Sequence, residues 1–288
     1  RKPRRVGRQR SPPPRSAMPE ASAAAPSAAP EEDGPSPDYL AVASLRFLVT
    51  CPHDPDAVGT KSKLLALVQK RSMAPFYKAL CEKLGWAPEG FLAELEAANA
   101  AELAKLEEKI KDAAENEGET EIREAYLAKA DFLMRIGEKE IALAAYDETL
   151  TKTVALGPKL DVVLAKLRIG FFFDDLPLVK ETLEKGKAML EEGGDWERRN
   201  RMKVYEALFL IQVRDFKKAT ALLLDSIATF TASELLPYNT FVLYTVACSL
   251  VALPRAEIKK KVIDAPEILQ VRSHRVPPPP PPPPAAAA

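Results

Sequence analysis

A helical hairpin recurs along this chain, and that recurrence limits what the chain can fold into. Tyr126, Ala130, Leu133, Gly137, Ala142 and Tyr146 carry one copy; Ala207, Leu210, Asp215, Phe216, Ala219 and Leu223 carry another. In each, a small residue and then a large apolar one fall on a first helix. A short turn follows, and an alanine and a bulky residue fall one turn apart on a second helix. Alanine lets two helices approach closely, and the bulky side chains fill the gap to the neighbouring hairpin. The pattern predicts an all-α, tetratricopeptide-like solenoid, a right-handed superhelix of antiparallel helix pairs. Turns expected near 137, 174, 214 and 254 give a period of roughly 37 to 40 residues, somewhat above the 34 of the strict repeat. No strand-like alternation bounded by hairpin turns interrupts it.

Composition separates a folded middle from its flanks, because most of the 26 prolines sit near the two ends. Residues 1–37 are first basic and then rich in Ala, Pro and Ser, with too little apolar mass to offset ordering, so disorder is expected. Arg1–Arg15 precedes the first methionine, Met18. Residues 1–17 read as sequence upstream of the translation start, and the alternative is a basic nucleic-acid-binding arm. An N-terminal helical region is expected over 38–118. Its first helix is capped by Asp38 and ends before Pro52. A second runs from about Thr60 to Gln69, and a third carries Pro75 in its first turn and stops at Gly85. A long solvated helix spans Pro88–Asn116.

The repeats are expected over 119–269. In the first hairpin, the second helix reaches Val154, and Gly157-Pro158 separates it from the next. The second hairpin turns at Asp174-Asp175, which reads as turn capping, and closes at Gly193-Gly194. Asp195 N-caps the third, which turns at Arg214-Asp215. The fourth starts after Pro237 with Phe241, Tyr244, Val246 and Leu250, turns at Pro254 and returns through a short helix, Ala256–Ile263. The pattern ends after Leu269. Residues 270–288 are expected to be disordered: Pro277–Pro284 and Ala285–Ala288 read as a polyproline II rod or as a replacement of lost native sequence.

Several function classes recede on composition. Cys51, Cys81 and Cys248 have no metal-ligand spacing, and only His53 and His274 stand beside them. Three is also an odd count for a disulfide framework, so reduced thiols are expected, with Cys81 in the core. No apolar run approaches the ~20 residues of a membrane span. Phe241–Leu253 is too short and reads as a core helix. The formal net charge is +0, so nothing draws the whole chain to nucleic acid or anionic lipid. No phosphate-cradling glycine loop, H-E-x-x-H or G-x-S-x-G occurs. No catalytic, cofactor or metal residue is assigned, and a non-enzymatic protein is expected. Arg198, Arg199, Arg201 and Lys203 are candidate contacts to an acidic surface on a partner; a solvated helix face is the alternative. Trp196 reads as a packing anchor.

Glu191-Glu192-Gly193-Gly194-Asp195-Trp196-Glu197-Arg198-Arg199-Asn200-Arg201-Met202-Lys203-Val204-Tyr205 closely resembles a stretch of the proteasome non-ATPase regulatory subunit 6 family, a component of the 19S lid. Residues 72–81, 151–157, 213–219 and 226–231 resemble it in register, so the likeness covers about Asp38 to Leu269. It implies a PCI-type subunit of the cytoplasm and nucleus, with other lid subunits as partners and no cofactor, small-molecule substrate, membrane or nucleic acid. Residues 193–269 would correspond to the helical half of a PCI domain. The winged helix of such a domain is not recognisable after Leu269, which implies a C-terminally truncated form. Another PCI complex, such as the signalosome, is the nearest alternative.

Overall fold

The structure is a computed structural model that describes residues 38–51 and 56–275. Its helices are α1 (Asp38–Thr50), α2 (Ala57–Lys70), α3 (Ala74–Leu84), α4 (Leu92–Asn116), α5 (Glu119–Ile136), α6 (Lys139–Thr151), α7 (Leu156–Phe173), α8 (Leu176–Glu192), α9 (Trp196–Gln212), α10 (Phe216–Ser226), α11 (Tyr238–Ala252), α12 (Arg255–Ile258) and α13 (Pro266–Arg275). A 3-10 turn, Ile227–Thr229, prolongs α10, and a π-helical stretch, Lys259–Ile263, prolongs α12. No strand occurs among the described residues. The expected all-α solenoid is the fold: α5 pairs with α6, α7 with α8 and α9 with α10, each pair leaning on the next.

The three hairpins close in one way. Gly137, Asp174 and Arg214 adopt φ of 88°, 60° and 64°. The residue after each donates its N–H five residues back: Glu138 to Leu133 O, Asp175 to Gly170 O and Asp215 to Leu210 O, at 3.1, 2.9 and 2.9 Å. This is the left-handed helix ending that satisfies the last carbonyls. The same residue then starts the next helix. Asp175 Oδ1 accepts from Leu178 N, and Asp215 Oδ1 accepts from Lys218 N. Asp195 does the same for Arg198 N at the head of α9. The turns and caps expected at these positions are all present.

The core divides into two apolar clusters, and α7 belongs to both. Its Val162, Ala165, Ile169 and Phe172 join the first cluster, with residues of α1–α6. Its Leu160, Val163, Leu164 and Leu167 join the second, with residues of α8–α11. A helix apolar all round is a buried helix, and α7 is walled on both sides. Phe172 receives the N-terminal region directly, with Tyr39 of α1 stacked on it at 4.2 Å between ring centroids and Phe76 of α3 at 5.2 Å. Gly170 allows the closest approach within the second pair, since a Cβ there would meet Val179 Cγ2 at 2.5 Å. Cys81 is buried in the first cluster, as expected.

Several expected boundaries move. The long helix begins at Leu92, because Pro88–Phe91 forms the turn leading into it. Gly157-Pro158 does not separate two helices but lies inside the first turn of α7. Proline's missing N–H is tolerated there. The preceding helix stops at Thr151 instead of Val154. Helical structure continues past Leu269 to Arg275. In α11, Tyr244 and Leu250 are 41% and 59% exposed; the packed face is Phe241, Val242, Thr245, Cys248 and Ser249. α11 is apolar on nearly every side, so periodicity could not choose between its faces. The readings made for residues 1–37 and 276–288 lie outside the described residues.

Gly170→Ala should lower the melting temperature by several degrees in thermal circular dichroism. Overpacking at Val179 costs about 1–3 kcal/mol, against a helix-propensity gain of about 1 kcal/mol. The cap aspartates make a second prediction. Asp175 is held below the usual carboxylate range by Lys139 and the Leu178 N–H, Asp195 by the Arg198 N–H and side chain, and Asp215 by the Lys218 side chain and N–H. A lowered folded value means their contribution is full above the unfolded value of about 3.9 and is lost as pH falls through the folded one. Melting temperature should therefore fall with acidification below about pH 4, and the triple variant D175N/D195N/D215N should show a shallower fall.

Candidate protein-docking site

The residues singled out for partner contact share one helix, α9. Gly193, at φ 149°, and Gly194 bring the chain out of α8, and extended Asp195 starts α9. Each of the four cations is engaged within the chain. Arg198 Nε donates to Asp161 Oδ1 of α7 at 2.9 Å, and its other nitrogens pair with Asp161 Oδ2 and Asp195. The hydrogen bond to Asp161 holds the Arg198 guanidinium above its usual value. Arg199 Nη2 donates to the Leu190 carbonyl at 3.1 Å. Arg201 places Nε and Nη2 on Glu234 Oε1 at 2.9 and 2.8 Å. Lys203 Nζ reaches Asp225 Oδ2 at 2.7 Å. These contacts tie α9 to α7, to the end of α8, to α10 and to the segment that follows α10.

Behind these pairs lies a network that the sequence reading missed. Arg168 of α7 is buried at 6% exposure, and its Nη1 donates to Tyr205 Oη at 3.3 Å. Tyr205 in turn donates to Glu234 Oε1 at 3.1 Å. Glu234 thus collects Arg201 and Tyr205 in a site where its side chain is only 10% exposed. Burial pushes the Tyr205 phenol above its usual value and keeps it a donor. A buried charge needs this pairing, because an uncompensated one costs several kcal/mol. One signal was available: Arg168 stands between Leu167 and Ile169 in the mostly apolar run Val162–Phe173, and a buried cation demands buried partners.

Trp196 corrects an expectation. It stands one turn ahead of Asn200, the first buried position of α9, and it is 62% exposed, so it anchors no packing. The whole run Glu191–Glu197 is exposed around it. Elsewhere, Asp175 caps α8 and also holds Lys139 Nζ of the first hairpin at 2.8 Å, so the Asp174-Asp175 pair belongs to the turn. Among the described residues, open grooves of about 580 Å³ and about 350 Å³ lie beside Trp86 and Pro88 and beside Arg123 and Pro158. Among the described residues, no cluster of three or more His, Cys, Asp or Glu is placed to hold a metal ion. No helix among them is long and apolar enough to cross a membrane. The basic arm Arg1–Arg15 lies outside the described residues.

The geometry is that of a helical-repeat solenoid. The sequence model of the family described as "26S proteasome subunit RPN7" matches residues 89–261, from the turn before α4 to the π-helical stretch. The Arabidopsis thaliana protein named "26S proteasome non-ATPase regulatory subunit 6 homolog" is 48% identical over 242 residues, 83% of this chain and 62% of that protein. The Dictyostelium discoideum "26S proteasome non-ATPase regulatory subunit 6" is 45% identical over 81% of this chain and 61% of its own length. The Saccharomyces cerevisiae "26S proteasome regulatory subunit RPN7" is 38% identical over 73% of this chain and 54% of its own length. The chain spans about three-fifths of the length of the first two relatives, as their 62% and 61% coverage states. The family match over residues 89–261 and identities of 38–48% make the chain a member of the RPN7 family of 26S proteasome subunits.

Proposed function

We propose that this chain is a non-catalytic scaffold subunit of the proteasome regulatory-particle lid. It would act through extended helical surfaces that hold neighbouring lid subunits, supporting the ATP-dependent degradation of ubiquitinated proteins. The observation that carries the reading is the family match over residues 89–261, which falls on α4 and the three hairpins. The physics supports it. Each hairpin buries its face against the next, and the Arg168–Tyr205–Glu234–Arg201 links hold the third hairpin at one angle to the second. A preorganised surface recognises partners without first losing conformational freedom. On this reading residues 193–269 serve as the helical half of a PCI domain, the partners are other lid subunits, and the protein works in the cytoplasm and nucleus.

Two measurements check this account. A tagged chain isolated from cells should recover proteasome lid proteins in stoichiometric amount by quantitative mass spectrometry. Their absence, with a fully helical spectrum of the chain, would sink the scaffold reading. Glu234→Gln removes the charge but keeps the shape of the acceptor. It should lower the urea midpoint by the equivalent of about 1–3 kcal/mol, since charge-assisted hydrogen bonds contribute that much. An unchanged midpoint would mean that the network does not hold the repeats.

A further inference from the structure

The α9 cations expected to meet an acidic partner are already engaged within the chain. The cations on that helix face their own carboxylates and carbonyls, as described above. What stands outward at the α8–α9 corner is an aromatic ring among acids, with Arg199 exposed one turn on. Trp196 is 62% exposed, and Glu191, Glu192 and Glu197 are exposed beside it in the chain. None of these three carboxylates holds an ion pair or side-chain hydrogen bond among the described residues. With Asp161 and Asp195, the corner carries five carboxylates against the guanidiniums of Arg198 and Arg199. Those of Arg198 are already taken by Asp161 and Asp195. Asp195 also caps the positive end of the α9 dipole.

An exposed apolar residue, Val154, lies two positions before a neighbour of this corner. A Cβ on Gly193 would lie 3.7 Å from Leu156 Cδ2, so the loop before α7 adjoins this corner, and Val154 on that loop is 81% exposed. A tryptophan face attracts a cation, and exposed tryptophan is the residue type most often decisive in protein recognition.

We propose that the α8–α9 corner docks a basic segment of another protein. A Lys or Arg of that segment lies over the Trp196 ring against Glu191, Glu192 and Glu197, and an apolar side chain beside it covers Val154. The proposal rests on the scaffold reading for its biological setting, but its chemistry is tested separately. In a Trp86→Phe background, Trp196 is the only tryptophan of the chain, and its emission reports on this corner alone.

The full chain is titrated with a peptide of alternating Arg and Leu and with its Glu/Leu counterpart. The Arg/Leu peptide should shift Trp196 emission in a saturable way that weakens as salt rises from about 50 to about 300 mM. E191Q/E192Q/E197Q should weaken binding roughly fivefold or more, and Trp196→Ala should do the same to a fluorescently labelled peptide. Both variants alter exposed side chains, and an unchanged helical spectrum verifies that they fold. An equal response to the Glu/Leu peptide, no response to the Arg/Leu peptide, or unaltered affinity in the triple variant would each overturn the proposal.

A second arm uses the tagged chain in cells. Loss of proteasome proteins from the triple variant, but not from the parent, supports the docking role; equal recovery overturns it. If the parent itself recovers none, the scaffold reading has failed and the peptide titration alone decides about the corner.

Discussion

Everything in this structure depends on α7 being buried on both sides. Most repeat helices need one apolar stripe for the partner within their hairpin and another for the next hairpin. α7 adds a third demand, because α1 returns across it and stacks Tyr39 on Phe172. Ten of its residues are buried, and its eight large or methyl-bearing apolar ones divide between the two apolar clusters, four to each. The N-terminal helices and the later hairpins are therefore not independent modules. Each side of the molecule is completed by the opposite face of a single helix. A substitution in α7 acts on both clusters, whereas one in α4, whose Leu92, Leu103 and Leu106 pack only on the first, acts on one.

Burying one helix on every side creates an electrostatic problem as well as a packing solution. Arg168 sits within that apolar run, and its charge must be matched inside the protein. The match is made at long sequence range, through Tyr205 on α9 to Glu234 beyond α10. The same carboxylate holds Arg201. One buried cation thereby specifies the angle between the second and third hairpins and the course of the segment leading to α11. Apolar stacking alone tolerates sliding along the solenoid. Directional hydrogen bonds between charged groups do not, which is a reason for a scaffold to carry them despite their desolvation cost.

The surface inherits its character from this internal demand. A helix that reads as strongly basic presents little free positive charge, because Asp161, Asp195, Asp225 and Glu234 take up three of its four cations and a helix-end carbonyl takes the fourth. What faces outward at its start is mainly aromatic and acidic, with Arg199 exposed beside it. Charge counted along a sequence and charge displayed on a surface are different quantities wherever pairs form across repeats.

The sequence by itself determined the helices, the hairpin turns and their capping aspartates. These are local decisions, made over a few residues by backbone geometry and hydrogen bonds that the chain carries with it. The alanine positions Ala130, Ala142, Ala207 and Ala219 were legible for the same reason, and all are buried. The fifteen-residue stretch around Trp196 was specific enough to point to the family before any fold was built. Only the tertiary structure decided which face of the uniformly apolar α11 is packed, that α1 crosses to α7, that Trp196 is left outside, and that the α9 cations turn inward. Those outcomes depend on which residues far apart in the chain meet. Periodicity says that a face is apolar, but only the arrival of a neighbour determines whether that face is covered, and only the position of a distant carboxylate determines whether a charge is free.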